Sequence, residues 1–151
     1  MNVADVMSYR PLVIGSFATV EEAALLMRAQ VVGALPVVEH DRPIGIITDR
    51  DLTLRCVAAG ERPWEQRVRE VMSGPPATCQ ADEPIESAIA RMAARRVRRL
   101  IVVGDCGAVV GMLTLDDLLL HDTTRAAATE VLRQILALRG ELDGVLSEVR
   151  P

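Results

Sequence analysis

The 151-residue chain contains no lysine; all 17 of its basic residues are arginine. That excludes lysine Schiff-base chemistry and a Walker-type phosphate loop, both of which need the ε-amino group. Aromatic residues make up 2% (Tyr9, Phe17 and Trp64), too few for the stacking platforms that hold single-stranded nucleic acid. A net charge of −4 points the same way, away from a nucleic-acid partner. Cysteine is scarce as well. Cys56, Cys79 and Cys106 are an odd set with no CxxC pair. They read as small buried hydrophobes in a reducing compartment, not as a disulfide framework or a zinc site. The only histidines are His40 and His121, and there is no HExxH, Ser-His-Asp order or glycine-rich phosphate loop. The chain is therefore expected not to be an enzyme. Asp117 and His121, four apart on one helix face, offer two metal ligands, which is short of a site. No apolar run approaches the roughly 18 residues of a membrane span. The start, MNVADVM, lacks the basic and apolar regions of a signal peptide, so the expectation is a cytoplasmic protein with no membrane partner.

What the chain does have is a globular balance, 50% hydrophobic and 25% charged, and an internal repeat. Asp5-Val6-Met7-Ser8 returns as Glu70-Val71-Met72-Ser73, Met27 as Met92 and Val37-Val38 as Val102-Val103, each at an offset of 65. Gly45-Ile-Ile-Thr48-Asp-Arg-Asp51-Leu52 returns as Gly111-Met-Leu-Thr114-Leu-Asp-Asp117-Leu118 at 66. The one-residue change falls between Val38 and Gly45, which marks a hairpin tip at 40–43 facing 105–108. Thr19-Val-Glu-Glu22 is a capping box that opens a helix, and Asp82 is the expected N-cap of its counterpart, with Pro84 in the first turn. Strands follow over 34–38 and 44–47, echoed at 100–103 and 109–113. A helix from about Thr48 to Ala59 ends at Gly60, and its counterpart opens near Thr114. The grammar is β-α-β-β-α, twice. The fold class is α/β, with a first repeat over 1–60, a linker over 61–67 and a second repeat over 68–122. Each half is too small for a comfortable core, so the two are expected to pack with approximate two-fold symmetry, forming two equivalent clefts.

The spacing Thr-x-x-Asp has two readings. A threonine N-cap with aspartate at the third helical position is ordinary capping. The same geometry offers N–H groups and a hydroxyl to a phosphate, and a carboxylate to the two hydroxyls of a ribose. With the D/E-V-M-S segments and Val32-Gly33-Ala34-Leu35-Pro36-Val37-Val38, these duplicated motifs resemble tandem CBS domains, also called a Bateman module. The resemblance covers residues 3 to about 120. It implies a non-catalytic regulatory sensor of AMP, ADP, ATP or S-adenosylmethionine. Thr48, Asp51, Thr114 and Asp117 then stand at the phosphate and ribose positions. Val97-Arg98-Arg99-Leu100 is similar to the segment with which the gamma subunit of AMP-activated protein kinase meets nucleotide phosphates. The resemblance puts uncharged Gly33, Ala34 and Leu35 on the base side of the cleft whose phosphate side carries Arg98, Arg99 and Asp117. The cleft around Asp51 is expected to be the weaker. Arg91, Arg95 and Arg96 read as solvated charges near a helix C-terminus. The other function class that stays open is an interaction or dimerisation module with no nucleotide, in which Thr-x-x-Asp only caps.

After the repeats, 123–151 is expected to be an amphipathic helix capped by Thr124. Ala128, Val131, Ile135, Leu138, Leu142, Val145 and Val149 lie on one stripe at alternating spacings of three and four, widened by Leu132, Leu136 and Leu146. Such a stripe either covers its own module or pairs two copies. A homodimer is the expectation, with a separate regulated protein as the other possible partner.

Overall fold

The computed structural model describes the backbone of residues 1–147 and the side chains of residues 1–140. In the first repeat, β2 (Ile14–Gly15), α1 (Val20–Gln30), β3 (Ala34–Glu39), β4 (Arg42–Thr48) and α2 (Asp49–Leu52) follow β1 (Ser8–Tyr9). A π-helical stretch, Thr53–Val57, prolongs α2, and Gly60 lies beyond it at φ +73°, the left-handed stop its position suggests. After α3 (Val68–Val71), the second repeat is β5 (Thr78–Gln80), α4 (Ile85–Arg95), β6 (Arg99–Val103), β7 (Val109–Thr114) and α5 (Leu115–Leu120). The chain then forms α6 (Arg125–Ser147).

Two sheets result, with strand orders β2-β3-β4 and β1-β7-β6-β5. In each repeat the pattern is the same: β2 pairs parallel with β3 and β5 with β6, while β3–β4 and β6–β7 are antiparallel; β1 adds to the second sheet by pairing antiparallel with β7. The hairpin irregularity recurs at equivalent places, between Val37 and Val38 and between Val102 and Val103. The first hairpin turns through His40 and Asp41, both at positive φ, and the second through Gly107 at φ +78°. Cys106 sits in that second turn and is exposed, contrary to the expectation that all three thiols are buried; Cys56 and Cys79 are buried.

Each sheet borrows its cover from the other half. Val3 and Met7 belong to the core of the second repeat, while Val68 and Val71 belong to that of the first. Backbone bonds fix the exchange: Val3 N–H donates to Glu83 O at 3.0 Å, and Val68 N–H donates to Ala18 O at 2.8 Å. Burying an aliphatic side chain contributes about 1.5–3 kcal/mol. Two on each side amount to a sizeable part of the roughly 5–15 kcal/mol that holds a domain folded. The repeats therefore fold as one unit.

The exchange also explains a capping difference. Thr19 and Glu22 form the expected box on α1, with Glu22 N–H donating to Thr19 Oγ1 at 3.1 Å and Thr19 N–H donating to Glu22 Oε2 at 2.6 Å. Asp82, however, does not cap α4. Pro84 occupies the cap position, and the first helical N–H, of Ile85, donates to Met1 O at 3.1 Å. A crossing backbone does what a side chain was expected to do.

The first half of α6 lies on the second repeat, packed against α4 and α5, with Ala128, Val131 and Ile135 buried in that core and Leu132 half-buried beside them. Thr124 is buried, but its hydroxyl donates back to Leu118 O at 2.7 Å, tying α5 to α6 without capping the latter. The first part of the stripe expected to pair two copies is thus used within one chain, while Leu136 stays 48% exposed. Leu142, Val145, Leu146 and Val149 lie outside the described side chains. Among the described residues, no helix is long and apolar enough to cross a membrane.

Candidate functional site

Both Thr-x-x-Asp motifs form complete capping boxes. Thr48 N–H donates to Asp51 Oδ2 at 2.9 Å, and Asp51 N–H donates to Thr48 Oγ1 at 3.2 Å. The matching distances for Thr114 and Asp117 are 2.8 and 3.1 Å. Each threonine hydroxyl also donates to the same carboxylate oxygen, at 3.0 and 2.7 Å. The cap therefore occupies one oxygen of each aspartate, and the fate of the other distinguishes the halves. Asp51 Oδ1 accepts from Ser73 Oγ at 3.2 Å and has the Arg55 guanidinium at 3.7 Å; the residue is only 9% exposed. Asp117 Oδ1 takes no hydrogen bond among the described residues, and the residue is half-buried at the wall of a cleft.

The glycine that opens each motif marks where the halves meet. A Cβ on Gly45 would lie 2.6 Å from Met72 Sδ and 2.8 Å from Ser73 O; one on Gly111 would lie 2.5 Å from Met7 Sδ and 3.1 Å from Ser8 O. The V-M-S segment of one repeat rests on the bare glycine of the other, which accounts for why the two motifs are duplicated together.

Two clefts follow from this packing. One, of about 410 Å³, runs between Ser8, Pro11 and Leu12, the Val32–Ala34 turn, and Met112, Thr114 and Asp117. The other, of about 370 Å³, has the same frame from the opposite halves: Ser73, Pro76 and Ala77, the Val97–Arg99 turn, and Ile46 and Thr48. Gly33 and Ala34 join Thr114 and Asp117 as expected. Leu35 does not join them, being fully buried in the first repeat's core. Strand alternation sends Leu35 opposite to Ala34.

The arginines depart from the expected grouping. Arg98 and Val97 line the Thr48 cleft, not the Asp117 cleft, and Arg99 borders both. Arg96 is exposed at the end of α4, as expected, and it also engages the rim of the Thr48 cleft. Arg91 is likewise engaged, donating to Thr78 O at 2.9 Å and pairing with Glu83 at 2.9 Å. Burial and the adjacent Arg98 push the Arg99 guanidinium below its ordinary pKa, while Asp49 and Asp116 pull it back. The Thr48 cleft thus presents Arg96, Arg98, Arg99 and Arg139, with no carboxylate among its lining residues. The Thr114 cleft presents Arg99 against Asp116 and Asp117. Sequence reasoning passed over Ser8, Pro11, Ser73 and Pro76, although their 65-residue offset was the available signal.

Asp117 and His121 do not share a helix face. His121 closes α5 in an extended conformation (φ −94°, ψ 122°), and the described residues contain no cluster of three or more histidine, cysteine or acidic groups suited to a metal. Neither histidine lines either cleft.

With this geometry in hand, the relatives are informative. The CBS domain family profile matches twice, over residues 3–57 and 68–123. The chain belongs to the CBS domain family. Protein YhcV of Bacillus subtilis, a CBS domain-containing protein, is 36% identical over 134 residues, spanning 89% of the chain and 94% of that protein. Protein MK0525 of Methanopyrus kandleri is 38% identical over 112 residues, covering 73% of the chain but only 57% of that relative's length. The CBS domain pair of protein MJ0100, solved in complex with 5′-methylthioadenosine and S-adenosyl-L-methionine, superposes with a TM-score of 0.68 at 27% identity, covering 78% of the chain and 95% of that structure. The chain is thus a tandem CBS pair.

Proposed function

We propose that this CBS pair is a non-catalytic regulatory sensor that binds adenosyl compounds (AMP, ADP, ATP or S-adenosylmethionine) between its repeats and acts on a second copy of itself or on a separate chain. The observation that carries this reading is the open Oδ1 of Asp117. It stands at the wall of an apolar-rimmed cleft beside a capped helix start, where a carboxylate can accept from both hydroxyls of a ribose. The 27%-identical pair of MJ0100, with adenosyl ligands bound, supports it. In the Thr48 cleft the corresponding carboxylate is engaged by Ser73 and Arg55, so ribose binding there is weaker, while the four arginines favour phosphate. The two clefts accordingly prefer different ends of a nucleotide.

Calorimetric titration with AMP, ATP, S-adenosylmethionine and NAD tests the reading. Losing a charge-assisted contact costs about 1.5–3 kcal/mol, over tenfold in affinity. Asp117→Ala is expected to lose that much for S-adenosylmethionine and Asp51→Ala distinctly less. Equal losses would remove the ranking. A chain that binds none of the four would instead be an interaction module whose Thr-x-x-Asp motifs serve as caps alone.

A further inference from the structure

The two clefts share a frame built from equivalent residues, yet only one has a third wall. Ile135 and Arg139 of α6 line the Thr48 cleft, whereas the Thr114 cleft is lined wholly from residues 8–34 and 99–117. Positions four apart share a helix face. Ile135 is 8% exposed and held in the second repeat's core, which fixes the rotation of that face. Arg139 is therefore presented to the cleft one turn beyond a buried anchor, in a lining it shares with Arg96 and Arg98. Arg96, Arg98 and Arg99 make no ion pair within 4.0 Å among the described residues. Like charges gathered around one space repel each other, and an anion placed between them relieves that repulsion.

We propose that Arg139 is a ligand-binding residue of the Thr48 cleft, contacting the phosphate of an adenosyl nucleotide, and that through it occupancy of this cleft is passed to the C-terminal helix. The inference rests on the sensor reading above and adds the output element. A phosphate held by Arg98 on one side and Arg139 on the other clamps α6 to the second repeat. The position is apt for transmission because Gly140 follows directly, and among the described residues no packing neighbour lies within 4 Å of where its side chain would be. A glycine within a helix is worth about 1 kcal/mol less than alanine, so the turns after Arg139 are held weakly unless something secures their start. Among the described residues, none from α6 lines the Thr114 cleft, whose Asp117 reaches that helix only indirectly, through α5.

The test uses the full chain, with AMP as the phosphorylated probe and adenosine as the control without phosphate. Titration of the wild type, Arg139→Ala and Arg139→Lys is combined with hydrogen exchange of α6 with and without saturating AMP. Arg139→Ala is expected to weaken AMP about tenfold while leaving adenosine unchanged, and Arg139→Lys is expected to recover part of the loss. AMP is expected to slow exchange over residues 139–147 in the wild type and not in Arg139→Ala. Unchanged AMP affinity in Arg139→Ala, an equal loss for adenosine, or exchange in α6 indifferent to AMP would each overturn the proposal while leaving the sensor reading intact. A wild-type chain that binds neither probe would overturn the proposal, and would remove the sensor reading as well if ATP, S-adenosylmethionine and NAD also fail to bind.

Discussion

Gly45→Ala probes the contact on which the two-repeat architecture rests. The new Cβ would sit 2.8 Å from Ser73 O and 2.6 Å from Met72 Sδ. The thioether can swing aside, but the carbonyl cannot. Ser73 is bonded on both sides of this point, with Ile46 N–H donating to Ser73 O at 2.9 Å and Ser73 N–H donating to Ile46 O at 2.8 Å. Restoring ordinary contact means moving that backbone by about 0.6 Å, which stretches both bonds towards the limit of usefulness. Overpacking of this kind costs about 1–3 kcal/mol, and a weakened bond adds up to about 1. Against this, losing glycine's freedom in the unfolded chain returns about 0.4–1 kcal/mol. The net expectation is a loss of about 1–3 kcal/mol, or roughly 3–10 °C in melting temperature for a chain of this size. Gly111→Ala should be milder, because the nearest backbone atom, Ser8 O, lies at 3.1 Å and the closest contact is the flexible Met7. Gly140→Ala, with no packing neighbour within 4 Å among the described residues, should stabilise by up to about 1 kcal/mol. Calorimetric melting of the three variants checks the order. A Gly45→Ala protein that melts at or above the wild type, or below which Gly111→Ala falls, would refute the argument that V-M-S seats on glycine.

Two further predictions concern caps and thiols. Thr114→Ala removes the acceptor for Asp117 N–H and should cost about 0.5–2 kcal/mol, with Thr114→Ser recovering most of it; equal melting of Thr114→Ala and wild type would count against the box. Burial pushes the Cys79 thiol up to about 12, whereas Cys106 is exposed, so a thiol reagent at pH 8 should label one cysteine in the native protein and three after denaturation. Because folding raises the Cys79 pKa, its contribution to stability is whole below the unfolded value of about 8.5 and is lost as pH rises from there towards 12. Melting that is flat across that window would contradict it.

Much of this was legible in the sequence because repetition carries structural meaning. The offset of 65 becoming 66 located the hairpin tips, and the Thr19 and Thr-x-x-Asp boxes formed where their spacing put them. Leu35 was legible too: alternation along β3 sends it into the core once Ala34 faces the cleft. So was the engagement of Asp51 by Arg55, four residues on along the same helix. What could not be read is whatever depends on how the halves cross. Asp82 loses its capping role to Met1, and Ser73 reaches Asp51, only because each entry segment lies on the other repeat. Which cleft Arg98 faces is decided at the turn between α4 and β6, where no simple period applies. The apolar stripe of α6 announces that the helix is covered without saying by what.

Those unreadable features are also what makes the two clefts different. Duplication alone would give two equal sites, each with a threonine, an aspartate and a serine around a glycine-based seam. In the Thr48 cleft, Ser73 and Arg55 take up the aspartate's second oxygen, and the turn equivalent to Val32-Gly33-Ala34 carries Val97-Arg98-Arg99 instead. Among the described residues, the carboxylate of the Thr114 cleft keeps an open oxygen, and the only lining cation there is Arg99, which it shares with its neighbour. A guanidinium that borders both spaces cannot serve an anion on each side with equal strength. Drawing Arg99 towards a phosphate in one cleft leaves Asp116 and Asp117 with less positive charge to balance them in the other, which favours a ligand there that is neutral or cationic at its sugar end. The asymmetry therefore includes one side chain, Arg99, that borders both clefts and that the first repeat, with alanine at the equivalent position 34, does not possess.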